Sequence, residues 1–306
     1  MREIFKKTIL ITLVGGIVVL GIFFYFWQKI PSKQVNFLIL GIAGENHAGK
    51  DLTDTIIFLS LNPQTKKATI LSIPRDIWII KWRAKLNSIY HYKGLEETKK
   101  TVEEILGQRV DYGVIIDFEL FKKIIDTLGG ITVEVERSFD DYKYPIPGKE
   151  NDLCGGDPEY KCRYEHIHFE AGKQFMDGQT ALKFVRSRNA QGEEGTDFAR
   201  AARQQKVIIA IKNKILSPEF FLSPGKPLQL IKLITLNIQT DVQKEKYWQL
   251  AKTGLKIKTI KTFSLNDNFL INPPISKEYD NQWVLVPKTG DWKEIKKYVE
   301  LLISNY

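Results

Sequence analysis

Residues 112–135 read Tyr-Gly-Val-Ile-Ile-Asp-Phe-Glu-Leu-Phe-Lys-Lys-Ile-Ile-Asp-Thr-Leu-Gly-Gly-Ile-Thr-Val-Glu-Val. Two short apolar runs in this stretch, 112–116 and 131–135, have the length and composition of strands. The segment between them, 119–128, predicts a helix that Gly129-Gly130 closes. This strand–helix–strand order predicts an α/β fold built in layers.

The residues before this unit predict more elements of both kinds. Residues 35–42, 55–61 and 68–73 are three apolar runs of strand length. Residues 62–65, Asn-Pro-Gln-Thr, have turn composition, so the last two runs are predicted to form a hairpin. Residues 95–106 are predicted to form a helix that a glycine ends.

The composition changes after the strand–helix–strand unit. Residues 139–164 are rich in Asp, Pro, Gly, Cys and Tyr, which predicts a long irregular insertion. The last third of the chain shows no pattern that indicates site chemistry. Helices are predicted for 179–185, 228–237, 245–255 and 292–303, and a short strand for 283–287.

The N-terminus carries a predicted membrane anchor. Residues 8–27 contain no charged side chain, and about 20 helical residues, roughly 30 Å long, are enough to span a bilayer. Arg2, Lys6 and Lys7 precede this run, which favours a cytoplasmic N-terminus. A cleaved signal peptide is the alternative, but the bulky residues 23–27 make a poor cleavage site.

The predicted organisation is a cytoplasmic segment (1–7), one transmembrane helix (8–27), a linker (28–34) and one extracytoplasmic domain (35–306). The net charge is +9 and the pI about 9.2. Because the basic domain is predicted to lie outside the cytoplasm, nucleic acid is not expected as a partner. Anionic lipid head groups or cell-wall polymers fit that location better.

The chain has two cysteines, Cys154 and Cys162, in one short segment. In an oxidising compartment we expect a disulfide between them. The alternative is a zinc site that His166 and His168 complete, although the spacing Cys-x7-Cys-x3-His-x-His matches no common structural zinc site.

Residues 184–205 place four arginines around a glycine-containing turn. Thr196 or Asp197 is expected to cap a helix that continues to residue 215. The face of this helix that becomes apolar further along begins with polar side chains, so these are expected to point inward. They are Arg200, Arg203 and Gln204.

Buried guanidinium groups need an anionic partner. A helix N-terminus favours anions, and the guanidinium fork matches phosphate oxygens, so a phosphate-bearing ligand is expected here. The alternative is a network of structural ion pairs with Glu193, Glu194 or Asp197.

A second group of charged residues falls at the ends of the predicted hairpin. Asp54 opens its first strand, and Arg75 and Asp76 follow its second strand. An antiparallel pair places these ends side by side, so Asp54 and Arg75 are expected to be close. Such a group suits a Mg²⁺ ion shared with substrate phosphates, and a simple salt bridge is the alternative. Lys85 is a candidate phosphate contact, and Asn87 is expected to cap a helix.

These segments follow one another in an order that resembles the LytR–CpsA–Psr family over residues 35–217. The resemblance implies a three-layer α/β/α sandwich with a central mixed sheet and a hydrophobic tunnel for a polyprenyl chain, preceded by one transmembrane helix. Residues 218–306 are then a C-terminal extension of the same domain. The matching segments are Leu52-Thr53-Asp54-Thr55, Ser72-Ile73-Pro74-Arg75-Asp76, Lys85-Leu86-Asn87, Val185-Arg186-Ser187-Arg188 and Asp197-x2-Arg200-x2-Arg203-Gln204.

The resemblance implies transfer of a glycopolymer from a polyprenyl-pyrophosphate carrier to peptidoglycan at the cell membrane. In such proteins the arginines that match Arg75, Arg186, Arg188 and Arg203 bind pyrophosphate, and the aspartate that matches Asp54 helps to hold Mg²⁺. In the implied reaction a sugar hydroxyl of peptidoglycan attacks the phosphorus that bears the glycan. A carboxylate, Asp76 or Asp197, either accepts the proton of that hydroxyl or orients an arginine. The expected catalytic residues are Arg75, Asp76, Arg186, Arg188, Asp197, Arg200 and Arg203; the substrate-binding residues are Lys85, Asn87 and Gln204; the metal ligands are Asp54 and Asp51.

Two positions depart from the family pattern. The family commonly has an aspartate where this chain has Ala43 and an arginine where it has Leu52. Glu45, His47 and Asp51 are the candidates to replace the missing metal carboxylate. The alternative functions are therefore a non-catalytic protein that binds polyprenyl pyrophosphate or anionic polymer, and a hydrolase that uses water as acceptor.

Overall fold

The structure is a computed structural model that describes residues 34–45, 47 and 49–305. No helix within these ranges is both long and apolar enough to cross a membrane. The predicted cytoplasmic segment, the predicted transmembrane helix and all but the last residue of the predicted linker lie outside the described residues.

Helices and strands alternate between residues 86 and 135, as the sequence predicts, whereas the chain before residue 86 forms strands in succession. The strands are β1 (Val35–Ile42), β2 (Thr53–Asn62), β3 (Lys67–Ser72), β4 (Trp78–Ile79), β5 (Ala84–Lys85), β6 (Tyr112–Asp117), β7 (Ile131–Val135), β8 (Phe139–Pro145), β9 (Tyr164–Phe169), β10 (Gly172–Met176), β11 (Gln239–Thr240), β12 (Thr259–Ser264), β13 (Leu270–Ile271) and β14 (Val286–Pro287). The α-helices are α1 (Leu86–Leu106), α2 (Phe118–Leu128), α3 (Gly178–Arg186), α4 (Asp197–Ile215), α5 (Pro218–Phe221), α6 (Lys226–Asn237), α7 (Tyr247–Lys256) and α8 (Lys293–Asn305).

Six strands form a central mixed sheet in the order β11-β6-β1-β2-β3-β12. β2 pairs antiparallel with both β1 and β3, whereas β6 runs parallel to β1 and β12 parallel to β3. The predicted hairpin of β2 and β3 is therefore confirmed, with Asn62 opposite Lys67 beside the turn. An α/β fold with a central mixed sheet is confirmed as well.

Helices contact this sheet from both sides, because neighbouring residues of a strand point to opposite faces. Leu71 of β3 lies in the largest core cluster with Ile105 of α1 and Val299 of α8. The next residue, Ser72, accepts a hydrogen bond from the Gln205 amide of α4 at 2.9 Å. This second face, between the sheet and α4, borders the candidate site.

Several strands differ from the prediction. β7 pairs with β10, outside the central sheet. The predicted irregular insertion begins with a strand, β8, which pairs with β9 and stacks Phe139 on Phe169 in a second core cluster. The sequence does not predict β12, whose mixed polar and apolar residues are ordered by parallel pairing with β3. The predicted strand 283–287 shortens to β14.

Helix α1 begins earlier than predicted, because Leu86 is fully buried and its N–H donates to the Ile77 carbonyl at 2.8 Å. Its N-cap residue is Lys85, so the prediction that Asn87 caps this helix is wrong; Asn87 is buried in the first turn. The backbone leaves helical geometry at Gly94, where φ is 77°. Glycine adopts that conformation without a steric penalty, and the helix continues beyond it.

Candidate functional site

A β-bulge places Asp54 at the edge of the central sheet. Gly41 pairs with Thr55 and Ile42 with Thr53, so Asp54 is the extra residue of β2. Thr53 is fully buried and donates to a backbone carbonyl of α1 at 3.1 Å. Bulges commonly re-aim a side chain beside a site. Here the bulge leaves the Asp54 carboxylate free to meet the end of β3.

Arg75 follows β3 and lies against Asp54, which confirms their predicted proximity. Its Nη1 donates to the Asp54 carboxylate, and its Nε lies 3.3 Å from Asp76 Oδ2. Asp76 is only 6% exposed and also accepts from Lys85 Nζ at 2.8 Å. A buried carboxylate is stabilised when it is paired with cations, and Asp76 has two. Asp76 therefore holds Arg75 and Lys85 in position.

Arg200 lies in the first turn of α4, which Thr196 caps by accepting from a backbone N–H at 3.1 Å. Its Nη2 lies 2.9 Å from Asp197 Oδ1. Burial lowers the pKa of Arg200 to about 10; Asp197 opposes this shift, and the charges of Arg188 and Arg75 add to it. The buried guanidinium, close to two other arginines, is thus a favourable place for an anion.

These charged residues meet at one end of a cavity of about 640 Å³ between α4, the ends of β2 and β3, and the chain after β12. Its volume falls in the range of about 300–1,000 Å³ that is typical of ligand sites. The polar end is lined by Asp54, Arg75, Asp197, Arg200 and Gln204. The apolar lining includes Ile56, Ile73, Phe198, Leu265, Leu270 and Leu285, and Asp267 and Lys288 also line the cavity from the chain after β12.

The last third of the chain supplies much of the apolar wall, although its sequence carries no site signal. β12 runs parallel to β3 with Ser264 opposite Ser72, so the chain that follows passes over the end of β3. Leu265 and Leu270 are buried there, and Trp283 closes the wall. The apolar residues of this segment are scattered between turns and follow no helix or strand period, so the sequence does not predict that they line a cavity. The pairing of β12 with β3 shows it.

Arg203 follows Arg200 by one turn of α4 but does not line the cavity. It is 2% exposed, and it donates to the carbonyls of Phe184, Ser187 and Glu194 and to the Glu194 carboxylate. Burial lowers the pKa of Arg203, while the bond to Glu194 opposes that shift. For this residue the geometry matches the structural alternative, because its guanidinium binds protein oxygens and ties α4 to α3.

The other two predicted arginines lie outside the cavity lining. Arg186 stacks with its Cζ 4.3 Å from the Phe118 ring and donates to the Tyr144 hydroxyl at 3.3 Å. Burial, followed by the Arg186 charge, lowers the pKa of His47. Arg188 is exposed and near enough to Arg200 to affect its pKa, so it belongs to the surroundings of the polar end.

Two of the remaining predicted residues lie at different cavities. Gln204 lines the cavity and donates to Thr55 Oγ1 at 2.9 Å. Asp51 lies apart from it: its Oδ2 is 3.5 Å from His91 Nδ1, and it lines a second cavity. The two predicted metal carboxylates, Asp51 and Asp54, are therefore divided between two cavities.

The donor set at the polar end fits Mg²⁺ only if the substrate supplies ligands too. Asp54 offers one carboxylate, with 43% of its side chain exposed. Ala43, where the family commonly has an aspartate, is buried with Phe118 and Leu182. Within the described ranges, one cluster of three potential metal ligands occurs, Asp152, Cys154 and Cys162. It lies in the disulfide loop and not at the polar end of the cavity. Mg²⁺ usually binds one or two carboxylates together with substrate phosphates.

The cysteines form the expected disulfide, with an S–S distance of 2.03 Å. His166 Nε2 and His168 Nδ1 do not join them, but meet Asp140 Oδ1 at 2.7 and 2.8 Å. The alternative zinc grouping of these four side chains is therefore not the arrangement in the structure.

Comparison with known proteins agrees with this architecture. The model of the LytR_cpsA_psr family matches residues 26–300. TagU of Bacillus licheniformis is 28% identical over 287 residues, which cover 82% of this chain and 83% of that protein. TagU of Bacillus subtilis is 29% identical over 278 residues, which cover 80% and 81%. Both are named polyisoprenyl-teichoic acid–peptidoglycan teichoic acid transferases.

The crystal structure of TagV from Bacillus subtilis superposes with a TM-score of 0.63 at 25% identity, covering 90% of this chain and 99% of that one. Fold, ordered motifs and family match thus coincide over most of the described residues. The chain belongs to the LytR–CpsA–Psr family.

Proposed function

We propose that this protein transfers a glycopolymer from a polyprenyl-pyrophosphate carrier to peptidoglycan. The observation that carries the proposal is one cavity with Arg75 and Arg200 at its polar end and an apolar wall behind them. The donor has a charged pyrophosphate and a long hydrocarbon chain, so its charged and apolar parts match the charged and apolar parts of the cavity. The names of the TagU relatives, teichoic acid transferases that act on a polyisoprenyl-linked substrate, support it.

In this proposal the pyrophosphate lies against Arg75 and Arg200, and the polyprenyl chain runs along Leu265, Leu270 and Leu285. Guanidinium groups match phosphate oxygens in geometry as well as charge. A charged ligand also compensates the buried Arg200 guanidinium, which Asp197 alone leaves with a lowered pKa. Arg188 and Arg186 then contact the glycan-bearing side of the donor.

The reaction needs no protein nucleophile. The oxygen of a peptidoglycan hydroxyl forms a bond to the phosphorus that bears the glycan, the bridging P–O bond breaks, and polyprenyl phosphate leaves with the electron pair. Asp197, which lines the cavity with 47% of its side chain exposed, accepts the hydroxyl proton in this proposal. Asp76, buried between Arg75 and Lys85, is a positioning residue instead.

Bound Mg²⁺ would neutralise charge on the pyrophosphate oxygens, and Asp54 is the residue that would hold it. Arg75 keeps the Asp54 carboxylate oriented toward the cavity by donating to it. We further propose that residues 8–27 anchor the chain in the cell membrane with the domain outside, where the lipid carrier and peptidoglycan meet.

The test is a transfer assay with the full-length chain in detergent. It uses a short polyprenyl-pyrophosphoryl saccharide, a peptidoglycan oligomer, and either Mg²⁺ or a chelator, with mass-spectrometric detection. We expect a phosphodiester-linked product, and a loss of about 10²–10³ in rate for Arg75→Met. Arg83→Met is the matched control, because Arg83 pairs with Asp280 on the surface away from the cavity lining.

A non-catalytic binding protein is the second candidate, and buried Ala43 favours it because this position supplies no metal carboxylate. Donor that binds but stays unreacted with Mg²⁺ and acceptor present would establish that candidate. Release of glycan phosphate without acceptor would instead indicate a hydrolase.

A further inference from the structure

A second cavity, of about 490 Å³, lies beside the first half of α1. Asp51 lines it from the loop before β2, Tyr90 and His91 from α1, and Gln239 from β11. α1 bends at Gly94, which also lines the cavity, so the opening coincides with the break in the helix. The proposed function leaves this space unused.

The two cavities share one short segment of chain. Asp51 lines the second cavity and Asp54 the first, so at most about 10 Å of extended backbone separates them. Thr53 fixes this segment, because its buried hydroxyl donates to the Asn87 carbonyl at 3.1 Å. The two cavities therefore border the same fixed segment of backbone.

The second cavity presents hydrogen-bonding groups beside aromatic rings. Tyr90 donates to Gln239 Oε1 at 3.2 Å, and within the described residues no acceptor takes the Gln239 side-chain N–H groups. Asp51 Oδ2 and His91 Nδ1 are 3.5 Å apart, longer than a good hydrogen bond, so both retain capacity for a ligand. The Tyr90 and His91 rings belong to the lining, and the exposed Tyr92 ring, outside it, packs edge-on against His91 with centroids 4.7 Å apart.

Charge decides which ligand fits. Among the residues that the structure describes, no lysine or arginine lines this cavity, whereas Arg75, Arg200 and Lys288 line the first. Asp241 contributes a carboxylate that already accepts from the Gly113 N–H and from Lys99. An anionic ligand would meet Asp51 without a cation in the lining. A neutral ligand rich in hydroxyl groups would find amide and carboxylate partners and aromatic faces.

We propose that this second cavity binds the glycan strand of the acceptor. The inference rests on the proposed function, because a transferase must hold its acceptor hydroxyl near the phosphorus while the first cavity holds the donor. The uncharged sugars of the strand occupy the space between Asp51, His91 and Gln239. Their neighbour along the strand then reaches past Asp54 to the polar end of the first cavity.

The test measures binding of a glycan-strand tetrasaccharide whose lactyl carboxyl groups are capped as amides, so that it carries no charge, to the full-length protein in detergent, by saturation-transfer NMR and calorimetry. The double variant His91→Ala/Gln239→Ala should bind it at least tenfold more weakly and show a raised KM for acceptor at an unchanged donor affinity. His166→Ala/Gln243→Ala is the matched control, because both residues are exposed and lie outside this cavity.

Equal binding by the double variant and the wild type would overturn the inference, as would a wild type that transfers glycan but shows no saturable binding of the tetrasaccharide. If the wild type binds the tetrasaccharide in this cavity but never forms product, the proposed glycan site is supported and the proposed transferase activity is contradicted. Thermal unfolding of the double variant checks that its fold is retained.

Discussion

Arg200 and Arg203 stand one turn apart on the same face of α4, yet only Arg200 lines the cavity. Arg203 donates to protein oxygens on three sides, including the Glu194 carboxylate at 2.8 Å. Arg200 has one carboxylate partner, the half-exposed Asp197. One arginine is therefore available to a ligand, and the other stabilises the fold.

Arg200→Met should leave the thermal midpoint of the ligand-free protein unchanged or raise it, while transfer falls by about 10²–10³. Burial lowers the folded-state pKa of Arg200 to about 10, so its charge costs stability at every pH below that value, including neutral pH. Removing the charge removes that cost. Differential scanning calorimetry and the transfer assay on the same preparations check both parts.

Arg203→Met should behave in the opposite way. It leaves the Glu194 carboxylate, 16% exposed, with only the more distant Arg137, whose Nε lies 3.9 Å away, and breaking a buried pair costs about 3–5 kcal/mol. In a domain of this size the thermal midpoint should fall by on the order of 10 °C. An unchanged midpoint together with lost transfer would instead place Arg203 among the ligand contacts.

The neighbouring glutamines offer a second matched pair. Gln205 Nε2 donates to Ser72 Oγ and to the Phe263 carbonyl, tying α4 to β3 and β12. Gln205→Ala removes the amide donor that Ser72 Oγ and the Phe263 carbonyl share, which should cost about 1–3 kcal/mol in the free energy of unfolding. Gln204→Ala, which opens only the contact to Thr55 at the cavity wall, should cost less than Gln205→Ala and weaken donor binding. Urea unfolding at a constant m-value distinguishes them, and equal losses would contradict this assignment.

Sequence pattern predicts the neighbourhood of Asp54 and Arg75, because hairpin geometry follows from two strands and a turn. Helical spacing likewise predicts that Arg200 and Arg203 point inward. Helical spacing does not reveal which groups each guanidinium contacts, because Glu194 contacts Arg203 from a separate 3₁₀ turn. The bulge at Asp54 escapes prediction for a similar reason: it exists only in the register between β1 and β2.

The four histidines of the chain allow a direct check of two environments by NMR titration. The pKa of His168 should lie above 6.5, because Asp140 and then Glu170 accept from its ring. His47 should titrate below 6.5, because of burial and the Arg186 charge. The stability that His168 contributes is thus complete below pH 6.5 and lost as the pH rises through its raised folded pKa.

Asp140→Asn should move the pKa of His168 down toward 6.5, and Arg186→Gln should raise that of His47. An unchanged pKa of His47 in Arg186→Gln would show that the Arg186 charge does not act on His47. The aromatic proton shifts of His91, whose ion-pair partner is Asp51, serve as the internal control in each variant.

Asp54 and Asp51 allow the proposed Mg²⁺ site to be tested without turnover. Inorganic pyrophosphate should raise the thermal midpoint of the wild type, and Mg²⁺ should increase that shift, since a ligand at about 100 times its Kd stabilises by about 2.7 kcal/mol. Asp54→Asn should lose the Mg²⁺ increment because it lines the cavity with Arg75. Asp51→Asn should keep it because Asp51 faces the second cavity. The reverse pattern would move the metal to the second cavity and leave Asp54 as the ion-pair partner of Arg75 alone.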